Sequence, residues 1–204
     1  MIYAIVLGAA AFAAAGYAGV RLGDAVCAGF APFEDGPHPG QPPVPWLIGA
    51  CAALGAALVA HGDDPTRLGL AAILVVALVA CWCSDVRCGV VPDVFTLTPL
   101  AAVILAGVLQ QEWWHLFAAL VPFVPFAIAA AASKGRGMGW GDVKLAALGG
   151  AVLGIGTSML AFSAACVVAV AIAWFRGRRT EPIAFAPYLV AAIGVCLFFG
   201  FVPQ

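Results

Sequence analysis

Charged side chains are absent from seven stretches of the chain, residues 2–20, 44–60, 68–83, 94–110, 113–132, 145–175 and 183–202. Most have the length of one helical crossing, about 20 residues. Clusters of Gly, Pro and charged residues separate them, as expected of turns between helices. The run at 145–175 is too long for one crossing, because as a single helix it would extend about 46 Å against a hydrocarbon core of about 30 Å. Gly154-Ile155-Gly156-Thr157-Ser158 in its middle predicts a tight turn and two crossings, the first of them short. The pattern therefore predicts an all-α polytopic membrane protein with about eight transmembrane helices.

The basic residues support that count. With eight crossings and the N-terminus outside, Arg21, Arg87, Lys134, Arg136, Lys144, Arg176, Arg178 and Arg179 all fall on the cytoplasmic side, and only Arg67 falls outside. One long helix from 145 would put the basic groups at 134–144 and 176–179 on opposite faces. Outside loops then carry Asp63, Asp64 and Glu112, with Trp113 and Trp114 at the outer interface.

Composition agrees with a membrane setting. Of the 204 residues 64% are hydrophobic and 9% charged, and the mean hydropathy is +1.07, which excludes an ordinary soluble domain. The partner expected on this ground is the lipid bilayer, with no nucleic acid; a homo-oligomer is compatible with the sequence. The N-terminus has no basic leading region and reads as a first span rather than a cleaved signal. Residues 1–43 form a first helix and a short Pro- and Gly-rich cytoplasmic loop, and residues 44–204 the main membrane-embedded domain. Seven cysteines, at 27, 51, 81, 83, 88, 166 and 196, show no Cys-x-x-Cys spacing, so they read as buried small hydrophobes. His38, His61 and His115 are scattered, and no metal site is expected.

Most of the ten acids fall in loops, where a solvated carboxylate needs no further account. Asp24 and Glu181 read the same way. Asp85, Asp93 and Asp142 remain. Asp85 lies near a helix end marked by Gly89 and Pro92, and the plain reading is an interfacial acid, snorkelled or paired with Arg87. Asp93 and Asp142, each before an apolar run, read as N-caps. Asp142 also closes the glycine-rich stretch Gly135-Arg136-Gly137-Met138-Gly139-Trp140-Gly141. Irregular backbone there survives near a membrane only where protein or a wet cavity surrounds it. In the eight-crossing arrangement Asp85 and Asp142 share one membrane depth at the cytoplasmic ends of their helices. Two carboxyls close together in a poorly solvated cleft share a proton, as hydrolysis by a pair of aspartates requires. Gly137, Gly139 and Gly141 would let a peptide backbone lie close, as an added strand, with Lys144 beside them.

Gly139-Trp140-Gly141-Asp142-Val143-Lys144-Leu145 resembles the Gly-x-Gly-Asp signature of intramembrane-type aspartic proteases, and in particular that of the type IV prepilin peptidases. Asp85-x-Arg87 with Val91-Pro92-Asp93 is similar to the first aspartate motif of that family, and Glu181-Pro182-Ile183-Ala184-Phe185-Ala186-Pro187 to its final Pro-Phe-x-Pro segment. The likeness runs in order over about residues 44–202. It implies an aspartic endopeptidase with Asp85 and Asp142 as catalytic residues and Gly137, Gly139, Gly141 and Lys144 as substrate contacts. The implied reaction removes the basic leader of prepilins or pseudopilins, after a glycine, at the cytoplasmic face of the inner membrane, and needs no cofactor. Many members also methylate the new N-terminus from S-adenosylmethionine through a cytoplasmic domain with paired Cys-x-x-Cys motifs. Here the first cytoplasmic loop is short and Cys27 is its one cysteine, so a peptidase without methyltransferase activity is expected. The helix dipole disfavours a carboxylate at the end where Asp85 lies and favours one at Asp142, which makes Asp142 the base and Asp85 the acid, with Lys144 aiding Asp142.

A different class remains open on the sequence alone: a small transporter or proton-conducting protein in which Asp85 and Asp142 form a relay. Such a relay calls for acids at mid-membrane, whereas both of these lie near one surface. A structural membrane partner with the acids acting as caps is a third reading.

Overall fold

The computed structural model of the chain describes residues 1–29, 43–62, 64–133, 138–176 and 184–200. Within them the chain forms eight α-helices: α1 (Ile2–Ala28), α2 (Val44–His61), α3 (Pro65–Cys88), α4 (Asp93–Leu109), α5 (Trp114–Ala132), α6 (Trp140–Leu153), α7 (Ile155–Phe175) and α8 (Ala186–Phe198). Helices α1, α2, α3, α5 and α7 are each long and apolar enough to cross a membrane, while α4 and α8 are shorter apolar helices. Side chains such as Leu7, Leu160, Val167 and Phe175 lie exposed on the outer faces, as a protein solvated by lipid requires. The chain is an all-helical, multi-pass membrane protein.

The long apolar run breaks at Gly154, which has φ 78° and ψ 171° and is at once the last cap of α6 and the first of α7. Only glycine adopts that backbone without strain. The break needs this one residue; Ile155 to Ser158, expected in the turn, already belong to α7. Helix α6 is short, 14 residues or about 21 Å. It is also the most enclosed element. Val143, Leu145, Ala146, Leu148, Ala151 and Leu153 have no exposed surface, as befits a helix apolar on every side.

Small residues let the helices approach closely. A methyl group at Gly16 would lie 2.8 Å from Cys51 Sγ, at Gly19 2.7 Å from the Val76 carbonyl oxygen, and at Gly23 2.7 Å from Cys83 Cβ. Helix α1, grouped in sequence with the connection that follows it, thus packs along α2 and α3. Gly149 and Gly150 do the same for α6, facing Phe162 and Ile193 on one side and Ala118 and Pro122 on the other.

Three bonds between segments show which helix ends lie together. Asp24 near the end of α1 meets Arg87 near the end of α3, Lys144 of α6 meets Asp93 at the start of α4, and Asp85 of α3 meets Ala186 at the start of α8. One end of the bundle therefore collects the C-terminal ends of α1 and α3 and the N-terminal ends of α4, α6 and α8.

Candidate functional site

Asp85 lies in the last turn of α3, which stops where Gly89 turns left-handed at φ 65° and donates its N–H to the Asp85 carbonyl oxygen at 2.9 Å. Its side chain points into the protein and is 9% exposed. Carboxyl oxygen Oδ2 accepts the backbone N–H of Ala186, the first residue of α8, at 3.0 Å. The first N–H groups of a helix have no partner within it, so the Asp85 carboxyl completes the start of α8. The unfavourable α3 dipole at Asp85 is thereby opposed by the favourable one of α8. Arg87 does not pair with Asp85. Its Nη1 lies 2.8 Å from Asp24 Oδ1, and Asp24, expected to be solvated, is its partner.

Asp142 is 7% exposed and is not the N-cap of α6, as the sequence suggested. Gly139 holds that position, and Asp142 sits three residues in, where Oδ2 accepts the Gly139 N–H at 3.2 Å. Glycine has no side chain to return the bond, so this is half of a capping box. The other oxygen, Oδ1, is fully buried and takes no hydrogen bond from the described residues. Buried carboxyl oxygens are seldom left so.

The two acids converge although the backbones of α3 and α6 do not pack on one another. Helices α4 and α8 lie between them, each touching both. The carboxyls interact electrostatically, and the fully buried thiol of Cys81, one turn before Asp85, lies in the field of both. Two acids 57 positions apart thus lie buried at the same end of the bundle, within electrostatic reach of one another.

The remaining residues singled out in the sequence divide differently. Gly137 lies outside the described residues, as do Lys134, Arg136 and Glu181. Among the described residues a methyl at Gly139 would meet only the Asp142 carboxyl, at 3.5 Å, and the Gly141 nitrogen, at 3.9 Å. Gly141 is filled by packing, since a methyl there would meet Val91 Cβ at 2.5 Å. The Lys144 ammonium is bonded to Asp93 Oδ1, and Asp93 is the first residue of α4 rather than its N-cap, which is Pro92. The Ala186 N–H is the contact that sequence reasoning missed. Pro187 signals a helix beginning there, but nothing in the sequence says which side chain receives the amide.

A multi-pass helical membrane protein with a buried pair of aspartates at one end of its bundle is the class that fold and site define. The model of the type IV leader peptidase family matches residues 72–174, about half of the chain and both acids. The chain belongs to that family. It is 34% identical over 155 residues to proteins of Burkholderia pseudomallei strains 1026b and K96243, each described as "Prepilin leader peptidase/N-methyltransferase". The alignments cover 67% of this chain and 48% of each relative, so the chain spans about half the length of the curated relatives it matches. No solved structure matches it significantly.

Proposed function

We propose that this protein is a prepilin leader peptidase in which Asp85 and Asp142 are the catalytic pair. The observation that carries the reading is their convergence: two buried carboxyls, each with one oxygen on a backbone N–H at the start of a helix. Asp142 Oδ1, buried and without a donor among the described residues, is suited to accept a proton from the attacking water. Asp85, protonated, donates to the oxygen of the scissile carbonyl as the tetrahedral intermediate forms. As the C–N bond breaks, Asp142 passes the water-derived proton to the leaving amine and Asp85 recovers its proton from the hydroxyl of the collapsing intermediate. Gly139 offers the substrate backbone an approach clear of side chains beside Asp142.

The substrate class follows from the family and from the site's place at the end of the bundle where Arg87 and Lys144 lie. That end faces the cytoplasm of the inner membrane by the positive-inside rule, so the N-terminus is outside and the basic leader is cut inside. No pair of cysteines stands at Cys-x-x-Cys spacing, and Cys27 is alone between residues 21 and 43. This supports peptidase activity without N-methylation.

The test is mass spectrometry of a synthetic peptide, a basic leader ending in glycine followed by an apolar segment, incubated with the purified protein and S-adenosylmethionine. Cleavage after the glycine by the wild type, absent in Asp85→Asn and Asp142→Asn, with an unmethylated product, is the expected result. Equal cleavage by either variant would remove the pair from the mechanism. If no prepilin sequence is cut while proteoliposomes pass protons, the relay replaces the peptidase.

A further inference from the structure

The connection between α3 and α4 touches both halves of the site. Gly89 ends α3 four residues past Asp85. Val91 fills the space beside Gly141, the residue before Asp142. Asp93 Oδ1 takes the Lys144 ammonium from two residues beyond Asp142. Because the backbones of α3 and α6 do not pack on one another, the distance between the two acids is set by what lies between them, α4 with this turn and α8. The Val91 contact resists approach only. The ion pair resists separation, and its carboxylate sits at the first residue of α4, where the helix dipole favours it.

We propose that Asp93 and Lys144 form a positioning clamp. Their ion pair holds the first turn of α6 against the α3–α4 turn and so sets the separation of Asp85 and Asp142; Lys144 does not act by touching substrate. The inference rests on the reading of those two aspartates as the reacting pair. Lys144 is 28% and Asp93 60% exposed at the side chain, so the pair adds little to stability. Its effect on rate is larger, because a displacement of about 1 Å in a reacting group lowers a rate about 100-fold.

The experiment is a charge-swap cycle on the full-length protein in nanodiscs, reading kcat and KM for the leader peptide together with melting temperature. Asp93→Lys and Lys144→Asp each place like charges together. Each is expected to lower kcat about 10- to 100-fold with KM changed less than about threefold. The double variant, with the charges exchanged, is expected to exceed the product of the two singles at least tenfold. A Lys144→Asp variant with raised KM and unchanged kcat would overturn the clamp in favour of a substrate contact. A double variant no better than the product of the singles would overturn it too. Where a reversal fails to fold, Asp93→Asn and Lys144→Gln replace it, with the same loss in kcat expected and the same KM result overturning. If the wild type cuts no peptide, the failure belongs to the proposed function. Amide exchange in the first turn of α6 then judges the clamp alone: faster exchange in each single reversal that the double variant restores supports it, and exchange unchanged in the singles overturns it.

Discussion

Gly150→Ala should be far more damaging than one methyl group suggests. The added carbon would lie 2.3 Å from the Ala118 carbonyl oxygen and 2.5 Å from Pro122 Cγ on α5, about 1 Å short of ordinary contact. A backbone oxygen and a fully buried proline ring cannot rotate away, so α6 must move off α5 by about that distance. Overpacking of this kind costs about 1–3 kcal/mol. Replacing a mid-helix glycine by alanine returns at most about 1 kcal/mol, leaving a net loss. The greater effect is on rate. Asp142 lies eight residues back along the same helix, about 12 Å, and a helix is stiff over that span. A shift of about 1 Å at Asp142 should lower kcat about 100-fold. Gly194→Ala is the control, since nothing lies within 4 Å of its new methyl, and it should melt no lower than wild type. Thermal melting and peptide cleavage by all three proteins make the comparison. A Gly150→Ala variant that melts and cleaves like the wild type would refute the α5–α6 packing and the transmission argued from it.

Arg87→Met should cost less than about 1 kcal/mol in melting experiments, because its pair with Asp24 is about one-third exposed at both ends. Its cleavage rate should stay within about threefold, and a larger loss would mean that Arg87 serves Asp85 after all. Asp64, expected to be a solvated loop acid, caps α3 by accepting the N–H groups of Thr66 and Arg67. The Arg67 N–H above all holds its carboxyl below the ordinary value of 3.8. A lowered folded value gives stability above pH 3.8 that is lost as pH falls below it. Asp64→Ala should therefore melt lower than wild type at neutral pH, with the gap closing in strong acid; a gap constant to the lowest pH would refute the cap. His115 Nδ1 lies 2.8 Å from the Ala151 carbonyl oxygen in the last turn of α6. A carbonyl can only accept, so the proton sits on that nitrogen. His115→Ala should cost about 1–2 kcal/mol and speed amide exchange at the α6–α7 junction, and unchanged exchange there would argue against the bond.

Number and type of helices were legible because membrane crossing leaves few alternatives. The charge-free runs and the break in residues 145–175 were enough for eight helices. Short-range features were read less well. Asp142 and Asp93 both looked like N-caps because acid before an apolar run is the ordinary signal. Sequence cannot tell the cap position from the first turn, and the true caps, Gly139 and Pro92, offer no side-chain acceptor. Pairing was read least well. Arg87 is two residues from Asp85 yet meets Asp24, 63 positions away, and Lys144 is two residues from Asp142 yet meets Asp93. Residues two apart on a helix point in different directions, so the nearest charge in sequence was the wrong partner both times. That Asp85 and Asp142 share an end of the bundle followed from topology; that α4 and α8 lie between the backbones of α3 and α6 did not.

The position of the acids at helix ends links stability and chemistry. A helix start enclosed in protein must have its first N–H groups satisfied. Here the buried Ala186 of α8 donates to Asp85, and Gly139, at the more exposed start of α6, donates to Asp142. Each acid is thus a structural acceptor through one oxygen, and the proposed mechanism uses the other for proton transfer. In the cap the carboxyl can be charged or neutral, because Oδ2 accepts in either form. In the proposed mechanism, protons are therefore gained and lost without breaking the bonds that hold the two acids. The same reasoning selects the substitution that isolates chemistry. Asparagine keeps an oxygen for the amide, so it removes the titrating group and preserves the helix start. At Asp85 alanine leaves the buried Ala186 N–H without a partner, a loss of about 1–3 kcal/mol, and would confound catalysis with folding.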